Sequence, residues 1–171
     1  MDFLPLAKRR CSVRRYQPRP VEPEKLAQIL EAARVAPTAA NRQPVKLLVL
    51  QGAEALEKLR PCADTYGAPL VIAVCADLSR AWTRPFDGKQ VGDIDASILT
   101  DHMMLQAADL GLGSVWICYF KPDLLQEACG LPEQLEPINL LAVGYPDGPL
   151  ADPERHQTER VALEELLYPI S

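Results

Sequence analysis

Histidine is scarce in this chain, and cysteine is present without pattern. Two histidines, His102 and His156, in 171 residues are too few for a histidine-built metal centre. The five cysteines, Cys11, Cys62, Cys75, Cys118 and Cys129, are odd in number and widely spaced. No two form a Cys-x-x-Cys pair, so the usual zinc and iron–sulfur ligand patterns are missing. Cys75 and Cys118 lie in apolar runs and read as core residues. No Gly-x-Gly-x-x-Gly fingerprint and no P-loop is present, and no Ser/His/Asp or Cys/His set can be assembled. No apolar run is long enough for a transmembrane helix. No apolar leader is visible either, so a cytoplasmic protein without a signal peptide is expected. An excess of positive charge is also lacking: 18 Lys and Arg stand against 23 Asp and Glu, a net −5. That balance argues against general nucleic-acid binding, which needs broad basic surfaces. There is no internal repeat and no low-complexity segment. With 48% hydrophobic and 24% charged residues, the chain has the composition of one globular domain with one sizeable core.

The charge is unevenly spread. The first twenty residues hold six Lys and Arg and one Asp, +5, which leaves −10 on the other 151. Most of the positive charge sits in "RRCSVRRY", Arg9–Tyr16, where four arginines surround Ser12. A guanidinium forks onto anionic oxygens and a hydroxyl adds a donor, so this cluster reads as a local anion site or as a solvated basic turn.

Periodicity outlines the rest. Residues 2–9 read as a short helix, followed by a link stiffened by Pro18, Pro20 and Pro23. Glu22–Val35 is helical, with Leu26, Ile29, Leu30 and Ala33 on one face. Pro37 ends it, and "PTAANRQP" follows as a polar loop. Strands are expected at Val45–Leu50, Leu70–Cys75, Ser114–Ile117 and Ile138–Val143, with short helices at Ala53–Arg60 and Asp123–Cys129. Ile94–Leu110 is the longest helical pattern and is mostly apolar, so it reads as central and buried. Gly111 follows it as a left-handed cap. Asp93 and Asp95, at its start, read as capping and dipole pairing. After Gly144 comes a Pro/Gly/Asp loop and then an apolar piece, "RVALEELLY". Interleaved helices and strands predict an α+β layer fold.

Three segments read together carry more than any one. They are Arg10-Cys11-Ser12-Val13-Arg14 with Tyr16, the loop "APTAANRQP" at Ala36–Pro44, and "LGLGSVWI" at Leu110–Ile117, with "VGYP" at Val143–Pro146. In that order and spacing they resemble the nitroreductase family of FMN-dependent oxidoreductases, over nearly the whole chain from Arg9 to Leu166.

The resemblance implies a fold and a site. The fold would be α+β, a mixed sheet flanked by helices around a long central helix, in an obligate homodimer. The chain would form one FMN-binding domain over 1–171, with 145–171 as a C-terminal arm on the partner. Arg10, Ser12 and Arg14 would meet the FMN phosphate and pyrimidine edge, with Arg9 competing for the first arginine's place and Cys11 where Arg or His is common. Alternating side chains on an extended segment can aim such a set one way. Pro37, Thr38, Asn41 and Gln43 would contact the ring, since an amide both donates to and accepts from a uracil-like edge. Val45 stands where an aromatic usually follows Pro44. Backbone at Trp116, Ile117 and Cys118 would lie beside the reactive part of the ring, and Arg160 would reach the phosphate. Gly111 and Gly113 allow close approach. Tyr119 and Phe120 replace the usual small residues and would narrow the pocket. The implied activity is hydride transfer from NAD(P)H to a nitroaromatic, a quinone or a similar small acceptor, with no metal and no catalytic side chain. Two alternatives stay open: another FMN enzyme on the same fold, of dehalogenase or flavin-cleaving type, and a non-enzymatic flavin binder.

Overall fold

A computed structural model describes residues 2–169. Residues 170 and 171 of the expected arm lie outside the described residues, as does residue 1 of the expected domain. In chain order the elements are α1 (Phe3–Arg9), α2 (Pro23–Val35), β1 (Val45–Gln51), α3 (Ala53–Glu57), β2 (Leu70–Asp77), α4 (Gly92–Asp109), β3 (Gly113–Ile117), α5 (Pro122–Cys129), β4 (Leu135–Gly144) and α6 (Leu163–Leu166). Short 3-10 turns stand at Ala39–Asn41 and Pro153–Gln157.

The strands form one sheet in the order β1-β2-β4-β3, and all three pairings are antiparallel. The expected mixed character comes down to one parallel bridge, Ser12 to Ser114. β2 and β4 are central, and Leu70–Ala76 is buried throughout. That run reads as unbroken apolar sequence because both faces of the sheet are covered. Leu70, Ile72 and Val74 pack with Ile29 of α2 and with Leu99 and Met103 of α4. Val71 and Ala73 face the other way, toward Leu59 and toward Leu125 of α5. β4 begins at Leu135, three residues before the apolar run, because Glu136 and Pro137 pair with Ala76 and Cys75 at a register shift. A proline is tolerated at such an irregularity.

α4 covers the sheet along its whole length and fixes the distance between its two ends. Its 18 residues span about 27 Å. One face is buried, and the opposite face shares an open groove with α1 and α2, lined by Phe3, Leu6, Val35, His102 and Leu105.

The segment after Gly144 differs from everything before it. Its 3-10 turn docks on the end of α1, where His156 meets the carbonyl of Lys8. Beyond that turn Val161, Leu163, Leu166, Leu167 and Tyr168 are all exposed.

Candidate functional site

The basic segment reaches its place by lying flat on the sheet. The Val13 N–H donates to the carbonyl of Ser114 at 2.9 Å, and Val13 is buried while Ser12 and Arg14 stay exposed, as alternation requires. Two glycines make the approach possible. A Cβ at Gly113 would lie 2.6 Å from Val13 Cγ2, and one at Gly144 would lie 2.6 Å from Pro69 and 2.9 Å from the Tyr16 ring. Tyr16 then pins the segment, its hydroxyl donating to the carbonyl of Val13 at 2.7 Å. Burial pushes that hydroxyl's pKa far above the usual tyrosine value, and the nearby Arg14 charge offsets only part of the rise.

The arginines divide into employed and idle. Arg9 donates to the carbonyl of Ala108 at 3.1 Å, and Lys25 donates to that of Leu110 at 3.1 Å. Both cations therefore complement the C-terminal end of α4. Arg15 pairs with Asp147 at 3.1 Å on the open surface, an interaction of little energy. Arg10, Ser12 and Arg14 remain. Among the described residues their side chains have no hydrogen-bond acceptor and no ion-pair partner. The Arg14 guanidinium lies 5.9 Å from the centre of the Tyr66 ring. A cavity of about 250 Å³ opens beside Arg10, Cys11 and Ser114. A second of about 420 Å³ adjoins it beside Ser12, Arg14 and Gly148.

Sequence reasoning missed the residue that holds this cluster in place. Arg155 donates to the carbonyl of Arg10 at 2.7 Å, to that of Asp152 at 2.7 Å and to that of Lys8 at 3.3 Å. Arg160, the expected basic residue of the tail, is exposed and among the described residues meets only the carbonyl of its neighbour Glu159, at 3.3 Å. The only signal for Arg155 was its place behind Asp152 and Pro153, a helix-start pattern. Tyr66, also missed, is in the left-handed region at φ 58°, in a turn where Asp64 accepts its N–H at 2.8 Å.

The second expected segment is well formed but elsewhere. Ala40, Asn41 and Gln43 all have positive φ, at 48°, 52° and 50°. Asparagine tolerates that region; alanine and glutamine are strained there. Thr38 Oγ1 accepts the Gln43 N–H at 3.1 Å, and Gln43 Nε2 donates to Asn41 Oδ1 at 3.1 Å. Pro37 leads in from the end of α2. Asp95 holds the loop from below, accepting the Ala39 N–H at 2.8 Å. The expectation that Asp95 caps its own helix is therefore corrected: α4 has no side-chain cap, and Asp95 is turned to the loop. Asp95 is at the start of α4, and Ala108, beside Arg9, is at its end. The helix rise separates them by about 20 Å. One chain thus does not bring Asn41 and Gln43 to Arg10 and Arg14.

The third segment runs along the sheet edge. Trp116 packs toward α4 with its Nε1 buried and without a partner among the described residues, and Ile117 is buried on the opposite face. Cys118 is exposed, which corrects its reading as a core residue: β3 ends at Ile117, and the chain leaves the sheet there. Tyr119 is 97% exposed, while Phe120 packs against the cluster around Leu59 and Leu125. Cys75 is buried as expected, its pKa pushed up to about 12 by burial, and Cys62 is a second buried thiol.

Comparison with known proteins shows the family and the fold. The chain matches the nitroreductase family over residues 7–64 and 62–145. It is 55% identical to a nitroreductase family protein from Clostridium difficile 630, whose crystal structure superposes with a TM-score of 0.96, covering 98% of each chain. An FMN-dependent nitroreductase from Clostridium difficile R20291 is 26% identical with a TM-score of 0.77, covering 94% of this chain and 98% of that one. An FMN reductase [NAD(P)H] from Bacillus subtilis is 31% identical over 175 residues, 90% of this chain and 70% of its own.

Proposed function

The chain belongs to the nitroreductase family, and from that premise we propose that it is an NAD(P)H-dependent oxidoreductase carrying FMN, which reduces a nitroaromatic, a quinone or a similar small acceptor. One observation carries the reading. Arg10, Ser12 and Arg14 are three donors without acceptors, pinned beside a cavity in an otherwise acidic chain. That donor set fits a dianionic phosphate with an adjoining uracil-like edge.

Arg10 and Ser12 would hold the phosphate and Arg14 the pyrimidine edge, with Arg155 fixing the backbone that presents them. FMN, when bound, supplies the hydride chemistry, and the protein supplies position and electrostatics. Backbone at Trp116, Ile117 and Cys118 would flank the ring, and Tyr119 would limit what stacks on it.

The loop of Pro37, Thr38, Asn41 and Gln43 would reach the ring from a second copy of the chain. The separation along α4 supports this, since a two-fold pairing of the helices in opposite directions sets each loop against the other copy's arginines. The open groove along α1, α2 and α4 and the exposed apolar tail support it too. We read the whole chain as one domain with residues 145–171 as an arm on the partner, where Arg160 gains the phosphate it does not meet in one chain. A cytoplasmic location belongs to the same proposal; among the described residues, no helix is long and apolar enough to cross a membrane.

Visible absorption of the purified protein, followed by NAD(P)H oxidation with a quinone and with a nitroaromatic, tests the reading. A yellow protein with parallel double-reciprocal lines is expected, because donor and acceptor would use one place in turn. A colourless protein that ignores added FMN sinks it. A yellow protein that NAD(P)H does not bleach without oxygen leaves flavin binding and removes the reductase.

A further inference from the structure

We propose that Asp95 is the positioning residue of the ring-side loop: its buried carboxyl group fixes the strained backbone at Ala39–Gln43 in the shape that meets the flavin. The inference rests on the reading that this loop touches FMN. Asp95 is 1% exposed, in the first turn of α4. Its Oδ1 accepts the Ala39 N–H at 2.8 Å, and its Oδ2 is buried with no partner among the described residues.

Three facts set this apart from ordinary packing. A buried carboxyl oxygen without a donor is unfavourable to the fold and calls for a reason. Asp95 serves no turn of its own helix, because α4 has no side-chain cap. What it does hold is the first residue of a 3-10 turn, after which Ala40, Asn41 and Gln43 are all left-handed. Such a run persists only where the surroundings over-determine it. Thr38 Oγ1 ties the far end of the loop, at Gln43, and Asp95 ties the near end. Between these ties the loop's amides are fixed before any ligand arrives. Without Asp95, binding would first have to order the loop, and that cost would appear as lost affinity.

FMN titration of the full-length chain, followed by flavin fluorescence, tests this with three single variants and one double variant. Asp95→Ala should weaken FMN about tenfold, whereas Asp95→Asn, which keeps an acceptor for Ala39, should stay within about threefold of wild type. Ala39→Pro removes the donor instead. Proline fits the first position of a helical turn, and Thr38 already has the extended backbone it needs. This variant should match Asp95→Ala, and the double variant should be no worse than either. It also decides the matter if Asp95→Ala does not fold. Wild-type affinity in Asp95→Ala and in Ala39→Pro, or additive losses when the two are combined, overturns the proposal. If the wild type binds no FMN, the functional reading fails first. Hydrogen exchange at the Ala39 amide then still decides whether Asp95 holds the loop, fast exchange in the wild type overturning it.

Discussion

The two ends of α4 solve different problems. At its C-terminal end, charge is abundant and the backbone is relaxed: no residue from Arg10 to Tyr16 has a positive φ. At its N-terminal end, three of the four residues from Ala40 to Gln43 are left-handed, and the loop carries amides and a hydroxyl with a single charge, Arg42. On the proposed reading, one end would hold an anion and the other would present backbone and amide groups in a fixed shape. Each would be half of a site, and one chain keeps the two ends about 20 Å apart.

Mixing variants attacks that comparison most directly and carries the largest expected effect. Arg14→Ala should lose FMN by about ten- to a hundredfold, the cost of one charged donor to the flavin's pyrimidine edge. Asn41→Ala should also weaken it. If the halves meet across two chains, refolding the two variants together regenerates one intact site in each mixed dimer. About a quarter of the chains then bind FMN as wild type does, given random two-fold pairing. No recovery on mixing would put both halves in one chain and break the comparison.

Deleting residues 157–171 comes next, and it spares Arg155. Light scattering should show more monomer, and flavin fluorescence a weaker complex. If the truncated chain remains dimeric and keeps FMN, the arm is only a tail and Arg160 a surface residue.

Gly113→Ala should affect the basic end alone. Its new methyl group would meet Val13 at 2.6 Å, and overpacking of this kind costs about 1–3 kcal/mol. Thermal unfolding should report that loss, together with weaker FMN binding. An unchanged FMN affinity would mean that the close fit of the segment on the sheet has no bearing on the site.

Ala40→Gly has the smallest effect and the opposite sign. Glycine relieves the left-handed strain of alanine, worth about 1 kcal/mol, or a rise of about 2–4 °C in melting temperature for a chain of this length. The basic end offers no such gain, and a neutral result at Ala40 would remove the contrast in backbone strain.

How much of this was legible in the sequence follows from what each feature depends on. The strands were legible because both faces of the sheet are covered, so Leu70–Ala76 is one apolar run. The α4 pattern was legible because its length is uninterrupted and one face is buried on the sheet. Arg10, Ser12 and Arg14 stood out as charge in an acidic chain, and alternation then predicted their shared direction. Arg155 did not stand out, because its role is three bonds to backbone carbonyls, which leave no mark on residue type. The loop's shape was hidden because alanine and glutamine rarely adopt it. Cys118 was misread because an apolar run does not announce where pairing ends. The distance between the two halves was hidden most of all, since it depends on the length of a helix and not on any motif.

The Ser12–Ser114 bridge also bears on how the chain folds. It joins residues about a hundred positions apart. The segment that carries the arginines can dock only after β3 and β4 have paired and Gly113 and Gly144 lie side by side. Contacts this distant in sequence form late, because the loop must close before they contribute. The basic segment is therefore among the last parts to assemble and among the first to loosen, and if it holds the proposed phosphate, binding would mark a chain whose sheet is complete.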